Sequence, residues 1–296
     1  MTWLPTWLLM CMLVAALTAC AKKHEDNKLG RNTMCLQVHK LSDTLYQFNE
    51  SADFAGNGQF QPYVDAYLLI GKKRAALIDS LQNVTGLYAE VRKLTDLPVD
   101  ILVTHGHLDH VGASTPEFVE AGCKVYMVPE DFEILVEMTP GAKQDWFTEL
   151  KDGDCFDLGG YTLETIACGG HSPGSVAFLE REHQLLFSGD TIGSGNFWMQ
   201  VPTALPMAQF RDNVVRLTKK VEGLNDLLVY PGHRNQSPVQ LTAQYVQDTC
   251  FIAEGIMDGS IVGDDQEMNF MGTQMKYKTV AHGQMVSFCY DPDRLQ

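Results

Sequence analysis

Four potential metal ligands within six residues constrain this sequence more than any other feature. They are His105, His107, Asp109 and His110. They directly follow residues 100–104, an apolar run that predicts a short strand buried on both faces. Packing four titratable groups so closely without a cation would leave several buried polar atoms to satisfy. Because imidazole and carboxylate are ligands that zinc accepts, the cluster predicts part of a metal centre at the end of a strand.

Three more candidate ligands lie farther along the chain, each after a predicted strand and beside glycine. His171 lies in residues 169–174, Asp190 follows Gly189, and His233 follows Gly232. Glycine lets the backbone turn sharply and approach a bound ion closely. Taken alone, each residue could instead be a hydrogen-bonded loop histidine or, for Asp190, a turn former or helix cap. Five of the nine histidines nevertheless fall in this set, which favours a shared site.

The rest of the chain alternates short β-like runs with amphipathic helical stretches. Strands are predicted over residues 44–48, 66–70, 75–78, 100–104, 124–128, 161–166, 176–179, 185–188, 226–230, 276–280 and 285–290. Helices are predicted over residues 84–94, 111–121, 208–221 and 239–257. Strands and helices mixed without a strict βαβ rhythm predict an α+β fold in which sheets pack between helices.

The N-terminus has the pattern of an export signal. Residues 7–17 form an unbroken apolar run of eleven residues, whereas a membrane-spanning helix needs about twenty. The run is typical of a secretory signal, and its end, Leu17-Thr18-Ala19-Cys20, resembles the bacterial lipoprotein signal. A plain cleaved signal or an N-terminal membrane anchor would also fit this pattern, and all three place the body outside the cytoplasm.

We therefore expect a lipoprotein signal peptide at 1–19, then the lipidated Cys20 with a polar tether to residue 34. The catalytic domain is expected at 35–296, with a C-terminal extension from about residue 258. The protein would then be anchored to a bacterial membrane through Cys20, in the periplasm or at the cell surface.

The net charge of −15 bears on the substrate. Nucleic-acid binding depends largely on Lys and Arg displacing counterions from phosphates, so an acidic protein is a poor candidate for it. We expect a small-molecule substrate and no nucleic-acid partner.

The spacing His105-x-His107-x-Asp109-His110, with His171, Asp190 and His233 downstream, resembles the metallo-β-lactamase superfamily in its glyoxalase II-like ligand set. The likeness runs from about residue 44 to residue 233 and includes residues 66–71 and 77–79. It implies an αββα sandwich with two metal ions at one edge, between the sheets.

The resemblance also implies a role for each candidate ligand. The first metal would be held by His105, His107 and His171, and the second by Asp109, His110 and His233. The Asp190 carboxylate would bridge both ions. Asp79 is similar to the family's acid that orients a ligand, although a turn residue at a strand end would also fit its position.

The implied activity is hydrolysis. Two divalent cations, zinc in the first place and iron or manganese otherwise, lower the pKa of a shared water and make hydroxide available. That hydroxide would attack the carbonyl carbon of an ester, lactone, thioester or amide. The candidate catalytic residues are Asp109 and Asp190, and either of them would handle the proton.

The substrate and the reaction type remain open at this point. β-lactamase activity is one alternative, although zinc β-lactamases generally lack an Asp at the position of Asp190. A glutathione thioester is a less favoured substrate, because few basic residues follow His233 to bind glutathione. A single-iron oxidoreductase similar to the persulfide dioxygenases would also fit the ligand types, as would a metal-binding lipoprotein without turnover. Residues 196–199 either form a wall of the substrate pocket or pack in the core, and His282 either approaches the site or lies apart from it.

Overall fold

The computed structural model describes residues 34–52, 61–139, 141–270 and 272–296, so the predicted signal, Cys20 and the tether up to residue 33 lie outside the described residues. Its strands in chain order are β1 (Met34–Lys40), β2 (Leu45–Ala52), β3 (Gln61–Ile70), β4 (Ala75–Ile78), β5 (Val99–Leu102), β6 (Val125–Met127), β7 (Phe147–Glu149), β8 (Cys155–Asp157), β9 (Thr162–Ala167), β10 (Val176–Glu180), β11 (Leu185–Gly189), β12 (Asn196–Met199), β13 (Leu228–Pro231), β14 (Leu241–Thr242), β15 (Asp264–Phe270), β16 (Thr273–His282) and β17 (Met285–Tyr290). Its helices are α1 (Leu87–Leu94), α2 (Thr115–Glu120), α3 (Phe132–Met138), α4 (Met207–Lys220) and α5 (Ala243–Asp258). Within this part of the chain, no helix has the length and apolar character needed to cross a membrane.

Two sheets pack face to face at the centre of the molecule. The first has the order β1-β2-β3-β4-β5-β6-β7, and the second has the order β14-β13-β11-β10-β9-β8. Tyr67 and Ile78 of the first sheet meet Phe178 and Phe187 of the second in one buried apolar cluster. Burying this surface between the sheets is the main force that holds them together.

Central strands are apolar on both faces because both faces are covered. In β3, Leu68 points towards the helices outside the sheet, whereas its neighbour Leu69 points towards the second sheet. In β10, Ala177 and Phe178 divide in the same way. Successive side chains of a strand point to opposite faces, so a strand covered on both sides needs a continuous apolar sequence.

Helices cover the outer face of each sheet. Leu87 of α1 and Phe118 of α2 pack on the first sheet. Phe210 of α4 and Tyr245 of α5 pack on the second. The layers are therefore helices, sheet, sheet and helices, and the predicted α+β fold with an αββα sandwich is confirmed.

Helix α2 begins later than predicted. The sequence pattern indicated a helix over residues 111–121, but α2 starts at Thr115. Pro116 explains the difference, because proline is tolerated in the first turn of a helix and not in its interior. Residues 105–114 are thereby left free to form the loop that carries the first four candidate ligands.

The C-terminal residues form a third sheet with the order β12-β17-β16-β15. β12 runs parallel to β17, with Phe197 opposite Phe288. Both phenylalanines are fully buried in the core beneath α4 and α5. The pairing with β17 therefore fixes the position of β12.

The topology gathers the ends of four strands at one edge of the sandwich. β9 and β11 are both antiparallel to β10, and β13 is parallel to β11, so the carboxyl ends of these three strands meet. The end of β5 in the first sheet is tied to the same edge, because the backbone N–H of Val176 donates to the carbonyl of Thr104 at 2.9 Å. The loops that leave these four ends carry the predicted site.

Candidate metal centre

All seven predicted site residues come together at this edge. Three groups of potential ligand atoms form, and within each group the atoms lie within 4.8 Å of one another. The groups are His105, His107 and His171; Asp109, His110 and His233; and His105, His110 and Asp190. Side chains from four separate loops thus converge on one small volume.

Asp190 lies between the first two groups. Its Oδ2 is 3.1 Å from Nε2 of His233, 3.9 Å from Nε2 of His110 and 4.0 Å from Nε2 of His171. Asp109 approaches the second group, with its Oδ2 3.3 Å from Nε2 of His233. A carboxylate in the position of Asp190 can contact ions held by either group.

Outer hydrogen bonds decide which ring nitrogen of each histidine faces inward. Nδ1 of His171 donates to the carbonyl of Trp198 at 2.8 Å, and Nδ1 of His233 donates to that of Tyr63 at 2.6 Å. These bonds leave Nε2 as the free coordinating atom. His107 is reversed: its Nε2 lies 3.0 Å from Oγ1 of Thr203, and its Nδ1 lies 3.0 Å from Nε2 of His105.

Asp79 orients two of the histidines. Its Oδ2 accepts hydrogen bonds from Nδ1 of His110 at 2.7 Å and from Oγ1 of Thr104 at 2.8 Å. Thr104 Oγ1 in turn lies 3.2 Å from Nδ1 of His105, and the Thr104 backbone N–H donates to Oδ1 of Asp79. The expectation that Asp79 orients a ligand therefore agrees with these contacts, although the residue also lies at a strand end with a φ of 62°.

Two buried polar atoms at the centre have no hydrogen-bond partner among the described residues. They are Nε2 of His110 and Oδ1 of Asp190. A buried polar atom without a partner is costly, and most such atoms in proteins are satisfied. A nitrogen and a carboxylate oxygen are suitable ligands for a divalent cation, so the residues present fit a metal site.

The two carboxylates at the centre stay ionised. Burial alone would raise the pKa of Asp109, but the imidazoles of His110 and His233 outweigh it and hold that pKa well below its usual range. Burial and histidine neighbours act on Asp190 in the same way, and its pKa is also lowered. Both side chains therefore offer negative charge to a cation.

Four histidines of the centre have shifted pKa values, in two opposite directions. Burial lowers the pKa of His107 to about 3, and it lowers that of His105 as well. Burial opposes the charged form of His110 too, but Asp79 and Asp109 raise its pKa to about 9. The carboxylates raise the pKa of His233 in the same manner against the effect of burial. A divalent cation would supply the positive charge that these carboxylates otherwise draw from protons.

Two glycines make this density of ligands possible. A Cβ on Gly232 would lie 2.5 Å from Cε1 of His110 and 2.7 Å from Oδ1 of Asp190. A Cβ on Gly189 would lie 2.2 Å from Oγ1 of Thr104, and the φ of Gly189 is +48°. Side chains at these positions would displace the ligands or the threonine that orients them.

Residues 61–233 match the sequence profile of the metallo-beta-lactamase superfamily. The chain belongs to this superfamily. The matched segment includes all seven candidate ligands and Asp79, so the family predicted from their spacing is confirmed.

Three relatives illustrate the level of similarity. The chain is 28% identical over 183 residues to hydroxyacylglutathione hydrolase GloC of Haemophilus influenzae, which covers 57% of this chain and 84% of that protein. It is 32% identical over 122 residues to mitochondrial persulfide dioxygenase ETHE1 of Bos taurus, which covers 40% of this chain and 44% of that protein. Among solved structures, a metallo-beta-lactamase from Pontibacter korlensis has a TM-score of 0.55 at 19% identity and covers 74% of this chain and 99% of that one. The last similarity shows the superfamily fold alone.

The sequence analysis missed Asp131, which contacts two of the loops that carry the candidate ligands. Its carboxylate is fully buried and accepts hydrogen bonds from the Gly106 N–H at 2.8 Å, the Ser172 hydroxyl at 2.6 Å and the Gly174 N–H at 2.7 Å. The signal was an Asp just before a helix, which normally predicts a cap for that helix. Here the side chain makes no cap bond to α3 and instead joins the two ligand loops.

A cavity of about 630 Å³ opens above the candidate ligands. Asn196, Phe197 and Trp198 line it, while Met199 is buried in the core. Phe197 serves both roles, because it lines the cavity and is fully buried. Residues 196–199 therefore contribute both to the pocket wall and to the core.

The remaining described histidines lie apart from the centre. His183 follows β10 at a hairpin turn, where it contacts Glu180. His282 stacks on Phe251 and lies 3.8 Å from Asp248, and it does not line the cavity. His39 lies in β1, and His24 lies outside the described residues.

Proposed function

We propose that this chain is a dinuclear metal-dependent hydrolase, with zinc as the expected metal and an ester, lactone, thioester or amide as substrate. The observation that carries the proposal is the inward direction of the ligand atoms. Each histidine of the centre with an outer hydrogen bond turns its other ring nitrogen towards Asp109 or Asp190, or towards another histidine of the centre.

The proposed ligands divide into two sites. His105, His107 and His171 would hold the first ion, and Asp109, His110 and His233 the second. Asp190 would contact both, as its position between the groups supports. Two adjacent ligand groups that share one carboxylate favour a site for two ions over a site for one.

When bound, two divalent cations lower the pKa of a shared water towards neutrality and polarise the substrate carbonyl. The protein supplies the proton acceptors for this reaction. Asp109 and Asp190 line the floor of the cavity, so either carboxylate is placed to accept the proton that the attacking water releases. We assign both as catalytic residues.

Other residues keep this machinery in position. Asp79 fixes the rings of His105 and His110, directly or through Thr104. Thr203 contacts Nε2 of His107 and donates to the carbonyl of His171. Because each ring is held from outside, the ligands need little rearrangement to bind a cation.

Metal analysis combined with a substrate panel tests the proposal. The full chain, purified with its native metal and also loaded with zinc, is assayed on lactones, thioesters, phosphoesters and β-lactams. Two zinc ions per chain with turnover of a carbonyl compound support the proposal. One iron per chain with oxygen uptake would favour the persulfide dioxygenase type of reaction, for which the similarity to ETHE1 is the supporting observation. Bound metal without any turnover would favour a metal-binding protein instead.

A further inference from the structure

The cavity above the candidate metal centre has walls of a distinct chemical character. At about 630 Å³ it is in the range of sites for drug-sized ligands. Its floor consists of the proposed ligands, and its walls come from α3, β12 and the residues after β12, together with Tyr63, Leu108, Gly193 and Gln236. The wall side chains are mainly apolar: Ile134, Met138, Phe197, Trp198, Val201 and Pro202.

Trp198 is the largest of these wall residues. It is 37% exposed, whereas Phe197 beside it is fully buried. The backbone of Trp198 is held in place, because its carbonyl accepts the hydrogen bond from Nδ1 of His171. A carbonyl group placed at the metals would therefore have an aromatic surface beside the rest of the substrate.

The charge of the lining is as distinct as its apolarity. Among the described residues that line the cavity, Glu137 is the one charged side chain apart from the proposed metal ligands, and no Lys or Arg is present. Glu137 is exposed on α3 at the cavity. The walls thus provide no counter-charge for an anionic substrate.

The basic residue that contacts this wall is directed elsewhere. Arg294 donates to the backbone carbonyls of Gln200, Val201 and Ala204. Its guanidinium therefore stabilises the backbone of the wall residues and does not contribute a positive group to the cavity.

We infer that this site takes an uncharged acyl compound with an apolar chain and discriminates against glutathione thioesters. The inference rests on the proposed hydrolase function and names its substrate class. The glutathione moiety carries two carboxylates and one ammonium group, and burying them beside apolar walls without a cation is unfavourable. Glu137 would also repel the two carboxylates of glutathione. An apolar acyl chain, in contrast, binds favourably because its apolar surface leaves water for these walls.

A matched pair of thioesters tests the inference on the metal-loaded full chain. S-hexanoyl-glutathione and S-hexanoyl-N-acetylcysteamine share the acyl group and the scissile bond but differ in charge. We expect the neutral thioester to have the higher kcat/KM by about tenfold or more at low ionic strength. Replacing hexanoyl by acetyl in the neutral compound should lower kcat/KM, because less apolar surface is buried. Equal or faster turnover of the glutathione thioester would overturn the inference.

A charge reversal at the cavity provides the second test. Glu137→Lys should raise kcat/KM for the glutathione thioester, relative to kcat/KM for the neutral thioester, by about fivefold, the size of one exposed charge interaction. Glu133→Lys is the matched control, because Glu133 is exposed on the same helix but does not line the cavity. An equal gain in both variants would point to net charge alone and contradict the assignment.

A binding measurement separates this inference from the proposed function. The S-hexyl thioethers of glutathione and of N-acetylcysteamine cannot be hydrolysed, and tryptophan fluorescence or calorimetry reports their affinity. If no acyl compound is turned over, the hydrolase proposal fails. Tighter binding of the neutral thioether would still support the pocket assignment, whereas equal or tighter binding of S-hexylglutathione would refute it.

Discussion

The hydroxyl of Ser172 donates a hydrogen bond to the carboxylate of Asp131 at 2.6 Å, and both side chains are fully buried. The same carboxylate accepts from the backbone N–H groups of Gly106 and Gly174. Gly106 lies in the loop of His105 to His110, and Gly174 lies in the loop of His171. One side chain therefore sets the separation of two loops that both contribute to the proposed first metal site.

Replacing Asp131 by Asn should loosen that site. Oδ1 accepts from Gly174 and Oδ2 from Gly106, so either orientation of an amide leaves one backbone N–H without its acceptor. A buried donor left unpaired costs about 1–3 kcal/mol in the free energy of unfolding. We expect a lower melting temperature and weaker zinc binding in competition with a chromophoric chelator. Glu130→Gln, an exposed neighbour, is the control, and equal zinc affinity in both variants would show that Asp131 does not position the loops.

A second prediction concerns Asp79, which orients His110 and, through Thr104, His105. Asp79→Asn keeps the shape but replaces one acceptor oxygen by a donor, so the His110 ring loses its tautomer preference. Outer groups of this kind are typically worth 10–100-fold in metal affinity or activity, and we expect a loss of about that size. The exposed Asp96→Asn variant should retain full affinity. Unchanged zinc affinity in Asp79→Asn would mean that Asp79 acts only as a turn residue and does not orient a ligand.

The third prediction concerns His107. Its Nδ1 lies 3.0 Å from Nε2 of His105, so removal of the ring takes away one of three neutral ligands of the proposed first site. His107→Ala should abolish turnover and reduce the metal content of the purified protein. His183→Ala removes a histidine outside the cavity and should behave as the parent chain does. Full metal content together with full activity in His107→Ala would mean that this residue is not a ligand.

Much of the site could be predicted because four of its ligands lie within six residues and the other three each follow a predicted strand. A buried strand followed by clustered histidines places the ligands at a strand end, and the ends of neighbouring strands share an edge. The contacts of Asp131 could not be predicted in this way, because Gly106 and Ser172 lie 25 and 41 residues away in the chain. The pairing of β12 with β17 is another distant contact, and nothing in either segment specifies the other.

A fourth prediction concerns export, on residues outside the described structure. The sequence Leu17-Thr18-Ala19-Cys20 and the polar residues after it support the proposal that Cys20 is the lipidated N-terminus of the mature protein. Intact-mass analysis of the native protein should find a diacylglycerol-modified Cys20 and no residues before it. Cys20→Ser should release the protein from the membrane fraction, whereas Cys11→Ser should not. An intact Met1 or an unmodified Cys20 would refute the proposal.

The last prediction concerns Asp190, the proposed shared ligand. Its Oδ1 is buried without a partner among the described residues, and its Oδ2 faces His233, so the side chain is directed at the centre rather than at a turn. Asp190→Asn keeps the shape but removes the negative charge that would offset the repulsion between two cations. We expect loss of the second metal first and a fall in turnover of about a hundredfold or more, the size of one main electrostatic contributor.

The pH–rate profile of the same variant decides whether Asp190 acts on both ions. With one cation left, a bound water is acidified less, so the optimum of the residual activity should move to higher pH. If Asp190 only capped the turn after β11, Asn would serve almost as well, and both metals and the parent pH optimum would be retained. Asp212→Asn, an exposed carboxylate on α4, controls for the change in net charge. Because the turn role predicts no change in metal count or in pH optimum, either readout alone separates it from a shared ligand.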